Sequence, residues 1–181
     1  MNRCHWVNNN NPLYVSYHDN EWGKPCHDER LLLELLILES FQAGLSWECI
    51  LNKRDAFQKA YDYFQLEKII HYDSQKIEEL LNNPNIVRNK LKVKASIQNA
   101  KIFQEIEKEF GSFDTYIWSF TNHKVIFRKN KKDFISSPLS DKISEDLKRR
   151  GMKFVGTVII YSYLQAIGVI NDHDFDCDFK E

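Results

Sequence analysis

The sequence predicts an all-α fold, on three observations. Apolar residues recur at steps of three and four through most of the chain. Only six glycines and four prolines are present in 181 residues, which leaves little room for long loops or β-turns. The one stretch rich in β-branched residues has no second stretch of similar strength to pair with. Asp28 caps a helix that runs through LLLELLILE to about Glu39, FQAGLS breaks it, and Gly44 is the pivot before Trp47 opens another segment. Asp73 or Ser74 caps QKIEELL, and NNPN interrupts the chain after it. A long helix runs from about Asn89 to Phe110, with Leu91, Ala95, Ile102, Phe103, Ile106 and Phe110 as its apolar face, and Gly111 stops it. Phe113, Tyr116, Ile117 and Phe120 mark a short helix, and Ser140 caps DKISEDLKRR, with Gly151 in the C′ position. GTVIIYSYLQAIG would suit a strand by composition, but thirteen residues from one glycine to the next read as a buried helix.

At 43% hydrophobic and 13% aromatic residues, the chain is expected to form one soluble domain over 1–181 with a sizeable core. MNRCHWVNNN has no apolar core of a signal peptide, and no apolar run approaches the roughly eighteen residues of a membrane span. The expected location is therefore the cytoplasm. Cys4, Cys26, Cys49 and Cys177 form no dense framework and fit reduced thiols or a metal site better than disulfides. A net charge of −1 gives no global sign of nucleic acid. Positive charge is nevertheless clustered at Arg88, Lys90, Lys92 and Lys94, at Arg128, Lys129, Lys131 and Lys132, and at Lys148, Arg149, Arg150 and Lys153.

Two glutamates lie in the most apolar helix. Glu34 can occupy the single solvent stripe such a helix usually leaves. Glu39 falls one turn beyond Leu35 and Leu36 and should point inward. An unpaired carboxylate in an apolar interior costs several kcal/mol or takes up a proton, so Glu39 is either bonded by neighbours or placed for a ligand. A frayed last turn with Glu39 in water is the plainer alternative.

The helices that bracket NNPNIVRNKLKV look like a helix-hairpin-helix unit over about 74–110, which would offer backbone amides and a helix N-terminus to a phosphate. An ordinary corner with exposed lysines fits the same pattern, and Asn85 is the residue there that readily turns left-handed. Cys4 and His18 near the start, with His173 and Cys177 near the end, make a closed two-sulfur, two-nitrogen set suited to structural zinc. His5, His27, His71 and His123 show how many other histidines exist by chance. The chosen four have economy in their favour, since one ion would tie both termini to the body.

RCHWV at 3–7, PLYVSYHDNEWGKP at 12–25, LESFQAGLSW at 38–47, KFVGTVIIYSYLQAIGVINDH at 153–173 and the closing Cys177 resemble 3-methyladenine DNA glycosylase I, the Tag family, over the whole chain. The resemblance implies a helix-hairpin-helix glycosylase fold with both termini stapled by one Zn2+ ion, through 4–18 and 173–177. It also implies hydrolysis of the N-glycosidic bond of 3-methyladenine in alkylated double-stranded DNA by a monomeric enzyme of the bacterial cytosol. Carried over by position, Glu39 matches the base-pocket carboxylate and Trp47 the stacking tryptophan, with Tyr14, Tyr17 and Trp22 as further aromatic surface. Cys4, His18, His173 and Cys177 match the zinc ligands. Gly44 and Leu45 match the loop at the gap left by the flipped nucleotide, and Arg88, Lys90 and Lys92 the basic hairpin. Where relatives commonly have glycine, this chain has Asn85 and Leu91. No role is expected for the basic segment 124–132.

The implied chemistry gives Glu39 a purpose. A 3-methylated adenine is cationic and leaves as a neutral base, so the burden falls on recognition. An ionised Glu39 accepts from the exocyclic amine of adenine and repels the oxygen that guanine presents there, acting as a reader more than a general base. Trp47 adds cation–π attraction of about 0.5–2 kcal/mol. A non-enzymatic zinc-stapled helix-hairpin-helix DNA-binding module would share the hairpin and the metal set, as a zinc-stapled scaffold would share the latter. Neither needs an inward carboxylate beside tryptophan and tyrosines.

Overall fold

Most of the longer helices begin where a side chain can close the first free backbone amides. In the computed structural model, which describes residues 1–127 and 133–180, Asn11 accepts from the amides of Leu13 and Tyr14, and Pro12 pre-sets the first turn of α1 (Pro12–Asn20). Asp28 caps α2 (Glu29–Gln42), Ser46 caps α3 (Trp47–Asn52), and α4 (Arg54–Ala60) and α5 (Leu66–Ile69) come next. Asp73, not Ser74, caps α6 (Ser74–Asn82), and Asn89 caps α7 (Lys90–Phe110), which ends at Gly111 with φ +87°. Ser112 caps α8 (Phe113–Ser119). After β1 (Ile126–Phe127) come α9 (Pro138–Arg149), α10 (Thr157–Ala166) and β2 (Ile170–Asn171).

The fold is mostly helical, as expected, with local differences. Helix α1 is an addition to the expected elements, although the Asn-Pro pair that starts it is a start signal. Ser137, not Ser140, caps α9. Pro138 takes the first helical position, and Ser140 sits at the third, where its hydroxyl accepts from the Ser137 amide in a reciprocal box. β1 and β2 pair in parallel, Ile126 with Ile170 and Phe127 with Asn171, a contact too short to leave an alternating pattern in the sequence. Asn85 does not adopt a positive φ. The connection 83–89 is turned instead by Asn83, whose side chain accepts from the Asn85 amide at 3.0 Å. Of the second basic cluster, Arg128, Lys129, Lys131 and Lys132 lie outside the described residues.

Helix α2 is the centre of the molecule. Every residue from Leu32 to Phe41 is buried, because α3, α7, α8, α10 and the 62–64 turn pack around it. No solvent stripe remains, which corrects the expectation for Glu34: it is fully buried, with Oε1 accepting from Arg54 (2.7 Å) and Gln58 (2.9 Å) and Oε2 from Arg30 (2.9 Å). A buried carboxylate is tolerable only with such partners. Arg54→Met is therefore expected to lower stability by about 2 kcal/mol in urea denaturation, while leaving small-ligand affinity unchanged. A midpoint within error of the parent chain would show that Arg30 and Gln58 suffice alone.

Candidate functional site

Five residues on from Glu34, Glu39 is as buried but differently equipped. Among the described residues its Oε2 has no hydrogen-bond partner, and burial alone pushes its carboxyl well above the ordinary 4.5. It lines a cavity of about 220 Å³ with Tyr14, Tyr17, Trp22 and Trp47. Helix α1 supplies the tyrosines, α2 the carboxyl and the start of α3 the tryptophan. The Tyr17 and Trp47 rings lie 5.3 Å apart at 48°, and the Trp47 indole N–H is a second buried group without a partner. Burial raises the Tyr17 phenol well above its usual value and that of Tyr14 to about 12, so both keep their protons. A donor and an acceptor without partners among the described residues, set beside aromatic rings in one cavity, are what a flat polar aromatic ligand needs.

Several other lining residues carry no role in the sequence reading. Trp6, Gln42, Ser162, Gln165, Asp172 and Phe134 also face the cavity. Trp6 packs edge-on against Trp22 at 4.8 Å, a contact that its place in RCHWV could have suggested. The carboxylate of Asp172 accepts from Tyr161 and Gln165, both at 2.8 Å, so its position is held.

Behind Trp22 lies the second constellation. One ligand atom from each of Cys4, His18, His173 and Cys177 lies within 4.8 Å of the others, and all four residues are buried. His173 Nε2 has no hydrogen-bond partner, while its Nδ1 meets Asn171 Oδ1 at 2.9 Å. His18 Nδ1 meets Asp19 Oδ1 at 2.8 Å, and Asp19 is gripped in turn by Arg3 at 2.7 Å. Such outer partners orient imidazoles whose other nitrogen faces a metal. Burial lowers both histidines, His173 to about 4, so each is neutral and has a lone pair to give. Gly23 is required here: it has φ +73°, and a Cβ on it would meet His173 Cε1 at 2.7 Å. The four residues fit a tetrahedral ion. Trp22 joins the two constellations, its ring 4.7 Å from that of His173.

The residues expected at DNA divide. Gly44 (φ +78°) turns the chain between α2 and α3, and Leu45 is 40% exposed beside it. Arg88 and Lys90 are exposed at the start of α7. Lys92 is not available to a phosphate, which corrects its expected role: it is buried, and its ammonium is held by the carbonyl oxygens of Phe41 and Ala43.

The family model for methyladenine glycosylases matches residues 6–181. DNA-3-methyladenine glycosylase 1 of Escherichia coli is 40% identical over 180 residues, which cover 98% of this chain and 96% of that protein. A DNA-3-methyladenine glycosylase of Haemophilus influenzae is 38% identical over 182 residues, 98% of this chain and 97% of that protein. Two solved structures superimpose with a TM-score of 0.95 at 36% identity. One is 3-methyladenine DNA glycosylase I from Staphylococcus aureus, covering 100% of this chain and 97% of that one. The other is a variant of 3-methyladenine DNA glycosylase I in complex with 3-methyladenine, covering 100% and 98%.

Proposed function

Since the chain belongs to the methyladenine glycosylase family, we propose that it is a base-excision DNA repair glycosylase that flips 3-methyladenine out of alkylated double-stranded DNA. It hydrolyses the N-glycosidic bond, freeing the base and leaving an abasic site. The observation that carries this is the contrast within α2: Glu34 has three partners, whereas Glu39 Oε2 has none and faces an aromatic-lined cavity. Free 3-methyladenine released from methylated duplex, detected by chromatography, tests it. No release above the enzyme-free control would sink it.

The substrate ring carries a positive charge. When its bond to C1′ breaks, the electron pair passes to the ring and neutralises it, and water adds at C1′ with loss of a proton. The base needs no protonation to leave, so the protein's task is to extrude and hold it. Trp47 and Tyr17 give it ring faces, and Glu39 accepts from its exocyclic amine. Charge arriving with the base favours the Glu39 carboxylate where the empty cavity favours the neutral acid. Tyr14 and Trp22 add further aromatic wall.

Zinc is the ion that the Cys4, His18, His173 and Cys177 set suits. Bound there it would hold the terminal segments together, with no open position for an activated water. We read α6, the 83–89 connection and α7 as the helix-hairpin-helix unit, with Arg88 and Lys90 on phosphate, within one domain over 1–181. Arg88→Ala and Lys90→Ala should each make the salt dependence of duplex binding shallower by about 1 in log–log slope, with base preference untouched. Slopes equal to wild type would place the basic stretch in plain solvent. Among the described residues no helix is long and apolar enough to cross a membrane, and we take the protein to work on DNA as a monomer in the cytoplasm.

A further inference from the structure

Lys92 stands apart from its basic neighbours. Arg88, Lys90 and Lys94 are exposed, whereas Lys92 is buried, and its Nζ donates to Phe41 O at 2.9 Å and also to Ala43 O. These carbonyls lie at the C-terminal end of α2, where the helix has no amides left to bond them. Burial works against the ammonium, and the negative end of α2 offsets that cost. From Ala43 the chain passes through Gly44 to the exposed Leu45, then to the Ser46 cap and Trp47 in the cavity wall. Lys92 itself sits in the first turn of α7, where its own amide bonds the Asn89 cap. One side chain thus joins the start of α7 to the segment between Glu39 and Trp47.

We propose that Lys92 is a positioning residue for base excision. It fixes the 42–46 segment to α7, so that a duplex seated on Arg88 and Lys90 meets Leu45 in one register as the damaged nucleotide leaves the stack. The inference rests on the glycosylase reading. It gives Lys92 no contact with DNA or base, so its effect passes through the loop it holds.

Three readings on Lys92→Met and Lys92→Gln, beside the wild type, test this. They are single-turnover release of 3-methyladenine from duplex, the salt slope of binding to undamaged duplex, and affinity for free 3-methyladenine. The methionine variant should excise roughly tenfold more slowly, since small misplacements are costly in rate. Glutamine, which retains a donor for one carbonyl, should recover part of the loss. Salt slope and free-base affinity should match wild type in both. Combining Lys92→Met with Leu45→Ala should cost less than the sum of the two, because both act on one step.

A salt slope shallower by about 1 would make Lys92 a phosphate contact and overturn the proposal. So would additive losses in the cycle, or a fall in free-base affinity that tracks a fall in melting temperature. If Lys92→Met does not fold, Lys92→Gln carries the same readings and its own cycle with Leu45→Ala. Failure of both to fold would overturn the proposal in favour of a structural role. Absence of release by the wild type is a separate result, which removes the glycosylase reading itself.

Discussion

Glu39→Ala is expected to slow release of 3-methyladenine from alkylated duplex on the order of 10²–10³-fold, with the fold intact. Glu39→Gln should lie between it and wild type. The carboxyl is buried and its Oε2 has no partner among the described residues, so removing that oxygen breaks no hydrogen bond described within the protein. On the proposed function, what is lost is the acceptor for the adenine amine and the charge that faces a cationic ring. Glutamine keeps an acceptor oxygen without the charge, and its amide can also turn to donate. Discrimination against guanine-like bases should therefore weaken in Glu39→Gln, whereas Trp47→Ala should weaken binding of all flat bases alike. Excision and base affinity at wild-type levels in both Glu39 variants would end the role given to this carboxyl.

The same residue sets a pH dependence. Burial raises the Glu39 carboxyl well above 4.5, so the empty cavity holds the neutral acid at every pH below that raised value. Binding the cationic nucleotide expels that proton. The value of kcat/KM should climb with pH until it levels off above the raised value, and Glu39→Gln should remove this limb. Below the raised value the neutral acid can donate to an oxygen, so selectivity for adenine over guanine should fall as pH is lowered. Stability runs the other way. Because the folded-state value is raised, the contribution of the Glu39 proton is full below 4.5 and is lost as pH rises through the raised value. Glu39→Gln should flatten that decline in melting temperature.

The second large effect is that of the metal. One zinc per chain is expected in protein purified without chelator, and Cys177→Ser or exhaustive chelation should lower the melting temperature on the order of 10 °C. The physical reason is closure. Residue 4 and residue 177 are brought to one point from opposite ends of the chain, and the Cys4 thiol, pushed up by burial, becomes a thiolate only beside a cation. Base affinity should suffer too, since His173 packs on Trp22, which lines the cavity. Metal analysis that finds no zinc, or melting indifferent to chelator, would remove the ion from the account.

Helix ends are legible in the sequence wherever the signal is short in range. Asp28, Asp73 and Asn89 each bond an amide three residues ahead, and Gly111 takes its left-handed turn alone. Glu39 is legible as inward because burial on a helix repeats every three to four residues, and Leu35 and Leu36 mark its face. The coincidence of Cys4, His18, His173 and Cys177 is suggested by donor chemistry, which needs no register. Ser140 misleads because Pro138, two residues before it, moves the start of α9 and leaves the cap to Ser137.

Only tertiary packing decided the rest. Glu34 and Glu39 carry the same group on the same helix, and what separates them is Arg54 and Gln58, twenty and twenty-four residues from Glu34. Lys92 reads like its basic neighbours until α7 crosses the end of α2, and its two acceptors lie 51 and 49 residues away. Trp6, Gln165 and Asp172 reach the cavity from the N-terminal segment, α10 and the stretch just beyond β2. Caps and periodicity act within one helical turn and are written locally, whereas whether a buried charge is paired depends on which distant helix packs against it.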